Sequence, residues 1–100
     1  MLRERYSAVI FANGALKDKE LGWEGEHSIR GVLHARRVVN WYNGSLDNDL
    51  DVENEFDIHN AKNLTVIGNG NISCDIIRIL LKDPDQLRGT DMPEDAIKFL

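Results

Sequence analysis

Cysteine is nearly absent from this chain of 100 residues. Cys74 is the single one, which excludes an intrachain disulfide and a cysteine cage for a metal and favours a reducing compartment. No apolar run approaches the ~20 residues of a membrane span, so a membrane contact would be peripheral at most. Basic residues number 12 against 17 acidic ones, and the net charge of −5 argues against nucleic acid as a partner.

Several catalytic and metal-binding patterns are also missing. The sequence has no G-K-[ST] phosphate loop and no Ser/His/Asp order typical of a hydrolase. His27, His34 and His59 are not spaced as metal ligands. The sequence therefore predicts neither a catalytic residue nor a metal site. At 100 residues the chain holds one small domain at most, which is less than a doubly wound nucleotide domain needs.

The most informative stretch that is present reads VIGNGNIS, from Val66 to Ser73. An apolar strand over 63–67 leads through a Gly-x-Gly turn into an apolar-striped helix predicted over 71–82. This order presents backbone N–H groups and a helix N-terminus to a pyrophosphate. An ordinary strand-to-helix turn that merely contains two glycines is the alternative.

Each position of the turn has a physical role in such a site. Gly68 permits the sharp turn, and Gly70 lets the backbone approach the phosphates without a Cβ in the way. Ser73 is small enough for close packing of helix and strand. The Asn71 amide can cap the helix or hold a phosphate oxygen. The residue that would bind the ribose lies at the end of a further strand, which this chain does not contain.

The rest of the chain follows the same alternation of strands and helices. Tyr6 to Ala12 reads as a buried strand that ends at Asn13-Gly14. Val32 to Tyr42 has apolar residues at helical spacing, and a further helix is expected to begin near Pro93. The fold class predicted is α/β, a partial Rossmann-like architecture of parallel strands with crossover helices.

Three features leave alternatives open. The acidic run Asp47–Asp57 is favoured as an exposed linker, and a hard-cation site is the alternative. Arg30, Arg36 and Arg37 beside His34 are favoured as a solvated helix face, and a patch for an acidic partner is the alternative. Cys74 is expected to be a small packing residue, although a helix N-terminus could activate its thiol.

A more specific pattern is spread over the chain. It comprises GVLHAR at 31–36, VNWYNG at 39–44, VIGNGNISCD at 66–75 and RILL at 78–81. Together these segments resemble the adrenodoxin reductase family, the mitochondrial-type NADPH–ferredoxin reductases and their bacterial relatives. Asn13-Gly14-Ala15 resembles that family's Y-G-A turn. Asn69, Ile72 and Ser73 depart from the usual glutamine, valine and alanine.

The resemblance implies a function and a division of the chain. It implies an incomplete flavoprotein with two dinucleotide domains that passes electrons from NADPH through FAD to a ferredoxin-type iron–sulfur protein. Residues 1–30 would end the FAD domain, 31–62 would form a crossover helix and acidic linker, and 63–100 would begin the NADP domain. The chain alone is expected to be inactive. A non-catalytic NAD(P)-binding module and a structural fragment are the alternatives.

The resemblance also assigns residues and a compartment. The NADP pyrophosphate would be held by Gly68, Asn69, Gly70, Asn71 and Ile72. Asn13, Gly14 and Ala15 would lie near FAD. The implied location is the matrix side of the mitochondrion in a eukaryote and the cytoplasm otherwise.

Overall fold

A computed structural model describes residues 1–15, 17–45 and 52–100 of the chain. Six helices lie within these ranges, and no segment of them forms a strand. The helices are α1 (Leu2–Arg5), α2 (Ala35–Tyr42), α3 (Val52–Glu55), α4 (Asn71–Leu81), α5 (Pro84–Leu87) and α6 (Glu94–Phe99). In these ranges no helix is both long and apolar enough to cross a membrane.

Neither of the two predicted strands forms in the described residues, so the partial Rossmann-like architecture is not confirmed. The segments Tyr6–Ala12 and 63–67 have no regular secondary structure, because a strand exists only where a second segment pairs with it, and neither finds one in the described part of the chain. Ile10 and Phe11 are consequently 87% and 83% exposed. The radius of gyration is 16.6 Å, against ~13 Å for a compact chain of this length, so the chain is more extended than a compact domain.

The buried core is organised around α2. Its inward face carries Val38 and Tyr42, which lie at the helical spacing that the sequence predicted, and also Trp41, which the predicted face did not include. The helix begins at Ala35 rather than Val32, because the backbone of His34 is still extended with ψ of 136°. It ends at Asn43-Gly44 as predicted, since Gly44 takes a φ of +62°.

Trp41 joins three helices at the centre of this core. It is 4% exposed, and its ring meets Phe56 and Phe99 edge-on at centroid distances of 6.3 and 5.3 Å. The indole Nε1 donates a hydrogen bond of 2.9 Å to the Glu53 carboxylate. The tryptophan therefore ties α2 to α3 and to α6 through both packing and a charge-assisted bond.

Helix α4 packs against the same face of α2. Ile76 is buried in the core cluster with Val38 and Tyr42, and Ile79 and Leu80 are partly buried against it. Burial raises the pKa of the Tyr42 phenol, and the nearby Asp75 carboxylate raises it further. The apolar stripe predicted for this helix is confirmed from Ile76 onward.

The acidic and basic segments of the sequence bind one another. The two terminal nitrogens of the Arg37 guanidinium, Nη1 and Nη2, each donate to the Glu55 carboxylate at 3.0 Å. Arg30 donates to the Asn54 carbonyl at 2.9 Å. Val52 is fully buried and Phe56 is 9% exposed, so the predicted exposed linker is wrong for this part of the acidic run. Its portion at 46–51 lies outside the described residues.

The glycine-containing loop between Lys17 and Ser28 is folded around a buried carboxylate. Glu26 is 6% exposed and accepts hydrogen bonds of 2.8 to 3.1 Å from the backbone N–H groups of Leu21 and Gly22. The Leu21 N–H is the main cause that lowers the pKa of Glu26, burial opposes it, and the Gly22 N–H, His27 and His34 lower it further. The ionised carboxylate thus organises the loop.

This arrangement predicts a pH-dependent contribution to stability. Because the pKa of Glu26 in the folded chain lies below its ordinary value of 4.5, its contribution is fully present above that pH and is lost as pH falls through the folded pKa. We expect Glu26→Gln to lower the melting temperature at pH 7, and we expect the difference from the unmodified chain to shrink as the pH falls through the folded pKa of Glu26. Thermal denaturation between pH 7 and 3 measures this, with the exposed Glu24→Gln as control. A melting difference that is independent of pH would contradict it.

Candidate functional site

The Gly68 turn has a conformation that requires glycine. Its φ is +123°, which other residues rarely adopt. A Cβ at this position would also lie 3.1 Å from the Ser73 hydroxyl oxygen. The turn and the first turn of α4 therefore approach each other closely, which is the packing that the sequence predicted for a small residue at position 73.

Gly70 differs, because no contact within the protein requires this residue to lack a side chain. Its φ of −94° and ψ of 177° are ordinary extended backbone, and a Cβ would meet no atom within 4 Å. The absence of a side chain leaves open space beside the backbone. That combination fits a group from outside the chain, such as a phosphate, better than it fits a packing requirement.

The N-terminus of α4 faces this space with free donors. The first bond of the helix runs from the Cys74 N–H to the Gly70 carbonyl at 3.1 Å, so the N–H groups of residues 71 to 73 precede the hydrogen-bond ladder. Gly70 is the N-cap and no side chain caps the helix, so of the two roles suggested for Asn71 the capping role is not seen. The first turn carries no acidic residue. No side chain therefore neutralises the positive end of the helix dipole, which can attract an anion.

The side chains around the turn are open to solvent. Asn69, Asn71 and Ile72 are all exposed, so they are accessible to a ligand. Cys74 is also exposed, and the prediction that it packs in the interior is wrong. The reason is that position 74 falls on the side of α4 opposite the buried Ile76. Among the described residues no group of histidine, cysteine and carboxylate side chains is arranged to hold a metal ion.

The second predicted turn, Asn13-Gly14-Ala15, lies elsewhere and is held by α2. Gly14 takes a φ of +66° with open space where a Cβ would stand, and the Asn13 amide donates to the Gly14 carbonyl at 3.3 Å. Arg36 donates to the Ala15 carbonyl at 2.6 Å and pairs with Asp18 at 3.0 Å. This contact was not predicted from the sequence. The sequence signal that pointed to Arg36 was its place in the GVLHAR segment at 31–36, one of the segments that resemble the reductase family.

A cavity of about 490 Å³ lies beside the core. Its walls are mostly apolar and come from the loop at 19–26, the start of α2, the extended segment 63–67 and the inner face of α4. Ser73 is the residue of the glycine turn region that reaches it, whereas Gly68, Gly70 and Asn71 do not line it. The open space beside Gly70 is therefore separate from this cavity.

Comparison with known proteins finds relatives along almost the whole chain. A probable mitochondrial NADPH:adrenodoxin oxidoreductase of Schizosaccharomyces pombe is 43% identical over 99 residues, which is 99% of this chain and 20% of the relative. The mitochondrial NADPH:adrenodoxin oxidoreductase of Arabidopsis thaliana is 37% identical over the same share of each. The NADPH-ferredoxin reductase FprA of Mycobacterium tuberculosis is 41% identical over 99% of this chain and 21% of its own length.

These matches extend over only part of each relative. The chain spans about a fifth of the length of the curated relatives that it matches. No protein-family model matches the chain. No solved structure matches it either.

Proposed function

The chain is homologous to a segment of the adrenodoxin reductase family, as its sequence motifs predicted, and from that premise we propose that it forms the NADPH pyrophosphate turn of such a reductase. Gly68, Asn69, Gly70, Asn71 and Ile72 would hold the pyrophosphate. The observation that carries the proposal is the open space at Gly70 beside the uncapped N-terminus of α4. A pyrophosphate there would accept hydrogen bonds from backbone N–H groups and gain from the helix dipole.

The finer fold follows from the same proposal. The segment 63–67 would be the first strand of an NADP domain that begins at residue 63, and it would become a strand when the rest of the domain supplies its neighbours. Residues 31–62 would form the crossover between the two domains. Tyr6–Ala12 would be a strand near the end of an FAD domain at 1–30, and the turn at Asn13, Gly14 and Ala15 would lie near the flavin.

In the whole reductase, FAD would supply the redox chemistry that converts a two-electron hydride donor into a source of single electrons. The part of this chain would be to bind and orient NADPH through backbone donors. The electron acceptor would be a small iron–sulfur protein of the ferredoxin or adrenodoxin type, as the names of the relatives indicate. The location would be the mitochondrial matrix in a eukaryote and the cytoplasm in a bacterium.

Two experiments test the proposal. Calorimetry on the 100-residue chain with NADPH, NADH and FAD measures binding directly, and a ligand of the folded state must also raise the melting temperature. A chimera that carries this chain in place of the matching segment of the S. pombe relative tests function. We expect the purified chimera to be yellow and to reduce a dye with NADPH. A colourless chimera that binds NADPH would favour a non-catalytic nucleotide module, and one that binds neither would favour a structural fragment.

A further inference from the structure

Helix α2 makes contacts on two opposite faces. Successive residues of a helix are about 100° apart, so Arg36 projects from the side of α2 roughly opposite Val38. Val38 and Tyr42 are buried with Ile76 of α4, the helix that begins at the glycine turn. Arg36 instead reaches the Asn13-Gly14-Ala15 turn. One helix of eight residues, about 12 Å long, therefore contacts the Asn13-Gly14-Ala15 turn on one side and, on the other, the helix that begins at the glycine turn.

We propose that Arg36 is a positioning residue that holds the flavin-side turn in register with the nucleotide-side turn through α2. This inference rests on the proposed function. The guanidinium makes two contacts of different kinds at once. One nitrogen donates to the Ala15 backbone carbonyl at 2.6 Å and another pairs with the Asp18 carboxylate at 3.0 Å. A planar fork of fixed donors is suited to hold two acceptors in a set geometry.

The two contacts of Arg36, with Ala15 and with Asp18, act as a tether between α2 and the Asn13-Gly14-Ala15 turn. The local charges support this tether. Asp18 and Arg36 have side-chain exposures of 32% and 37%, so the pair is partly shielded from water and is stronger than an exposed surface pair. The segment it restrains has little else to fix it. In the described part of residues 6–19, no helix or strand forms. A backbone carbonyl held at residue 15 therefore determines where the preceding turn lies.

The chain as it stands tests the tether without any cofactor. Lys17 and Lys19 flank Asp18 and are trypsin sites within the restrained segment. We expect Arg36→Gln to raise the rate of trypsin cleavage at these two lysines about tenfold, because two charge-assisted contacts are lost. Cleavage at Lys82 should not change. The matched control is Arg78→Gln, which removes an exposed pair with Asp75 only. Equal cleavage rates in Arg36→Gln and the unmodified chain would overturn the tether.

The chimera tests the positioning role. Arg36→Gln is expected to weaken FAD retention about tenfold and to shift the visible flavin spectrum, while the dissociation constant for NADP+ changes less than twofold. Arg36→Lys keeps a cation that reaches one of the two acceptors, so it should restore part of both effects. A purely structural arginine would lower the melting temperature without moving the flavin spectrum, and that result would overturn the proposal.

The two proposals fail in different ways. If the chain is not a reductase segment, the unmodified chimera lacks NADPH-dependent dye reduction, whereas the trypsin result on the isolated chain is unaffected. If the tether is wrong, the unmodified chimera is active and Arg36→Gln retains its flavin and its spectrum.

Discussion

Replacing Gly70 by valine is expected to reduce NADPH affinity by at least about 30-fold while the chain folds as before. The backbone at Gly70 is extended, which valine adopts readily, and a Cβ there meets no protein atom within 4 Å. The added side chain would fill the space assigned to the pyrophosphate. Loss of its backbone hydrogen bonds is worth about 2 kcal/mol, and each 1.4 kcal/mol is a factor of ten. Isothermal titration of the chain, and the NADPH Michaelis constant of the chimera, measure the effect.

Gly68→Ala, two residues earlier in the chain, is the comparison variant for Gly70→Val. Gly68 has a φ of +123° and close contact with the Ser73 hydroxyl, so alanine there is expected to cost about 1–3 kcal/mol of stability as well as affinity. Gly70→Val should leave the melting temperature within about 2 °C of the unmodified chain. Unchanged NADPH affinity in Gly70→Val would refute the assignment of the pyrophosphate to this turn. A large fall in melting temperature would show that Gly70 is required for packing instead.

Trp41→Ala is expected to destabilise the chain by about 3–5 kcal/mol, the usual cost of removing a large buried aromatic side chain. The change empties the junction of α2, α3 and α6, since Phe56 and Phe99 both pack edge-on against this ring. A small domain has a free energy of unfolding of about 5–15 kcal/mol, so a substantial unfolded fraction is expected. Urea denaturation followed by circular dichroism measures the loss.

Two variants separate the contributions of Trp41. Trp41→Phe keeps an aromatic ring and removes the indole bond to Glu53, and we expect it to cost about 1–2 kcal/mol. Trp23→Ala serves as the control, because Trp23 is 49% exposed and its loss should change stability by less than about 0.5 kcal/mol. Comparable destabilisation by Trp23→Ala and Trp41→Ala would contradict the central place of Trp41 in the core.

Helices were predicted from this sequence more reliably than strands, and the reason is physical. A helix satisfies its hydrogen bonds within one segment, so the apolar spacing and the glycine at its end suffice to locate α2 and the start of α4. A strand depends on a partner, and the apolar run Tyr6–Ala12 has the composition of a strand but pairs with no other segment among the described residues. The sequence pattern indicated a local preference that the described part of the chain does not satisfy.

The candidate site was predictable in its residues but not in its contacts. The need for glycine at position 68 followed from the turn pattern, and its φ of +123° is consistent with it. The bonds from Arg37 to Glu55 and from Arg36 to Ala15 join residues 18 and 21 positions apart. Contacts at such separations depend on how helices pack, which local patterns in one sequence do not determine. For the same reason the burial of Val52 and Phe56 within an acidic segment was missed.

The exposed segment Tyr6–Ala12 has a consequence for the chain during synthesis. Its seven residues are rich in β-forming side chains, carry no charge and contain no proline, and Ile10 and Phe11 are open to water. Such a segment can pair with any similar edge that it meets, including that of a second molecule. Under the proposed function, folding is a competition in time, in which the neighbouring strands of the whole reductase would have to reach this segment before another nascent chain does. Dilution and chaperones favour the correct outcome, and high expression favours aggregation.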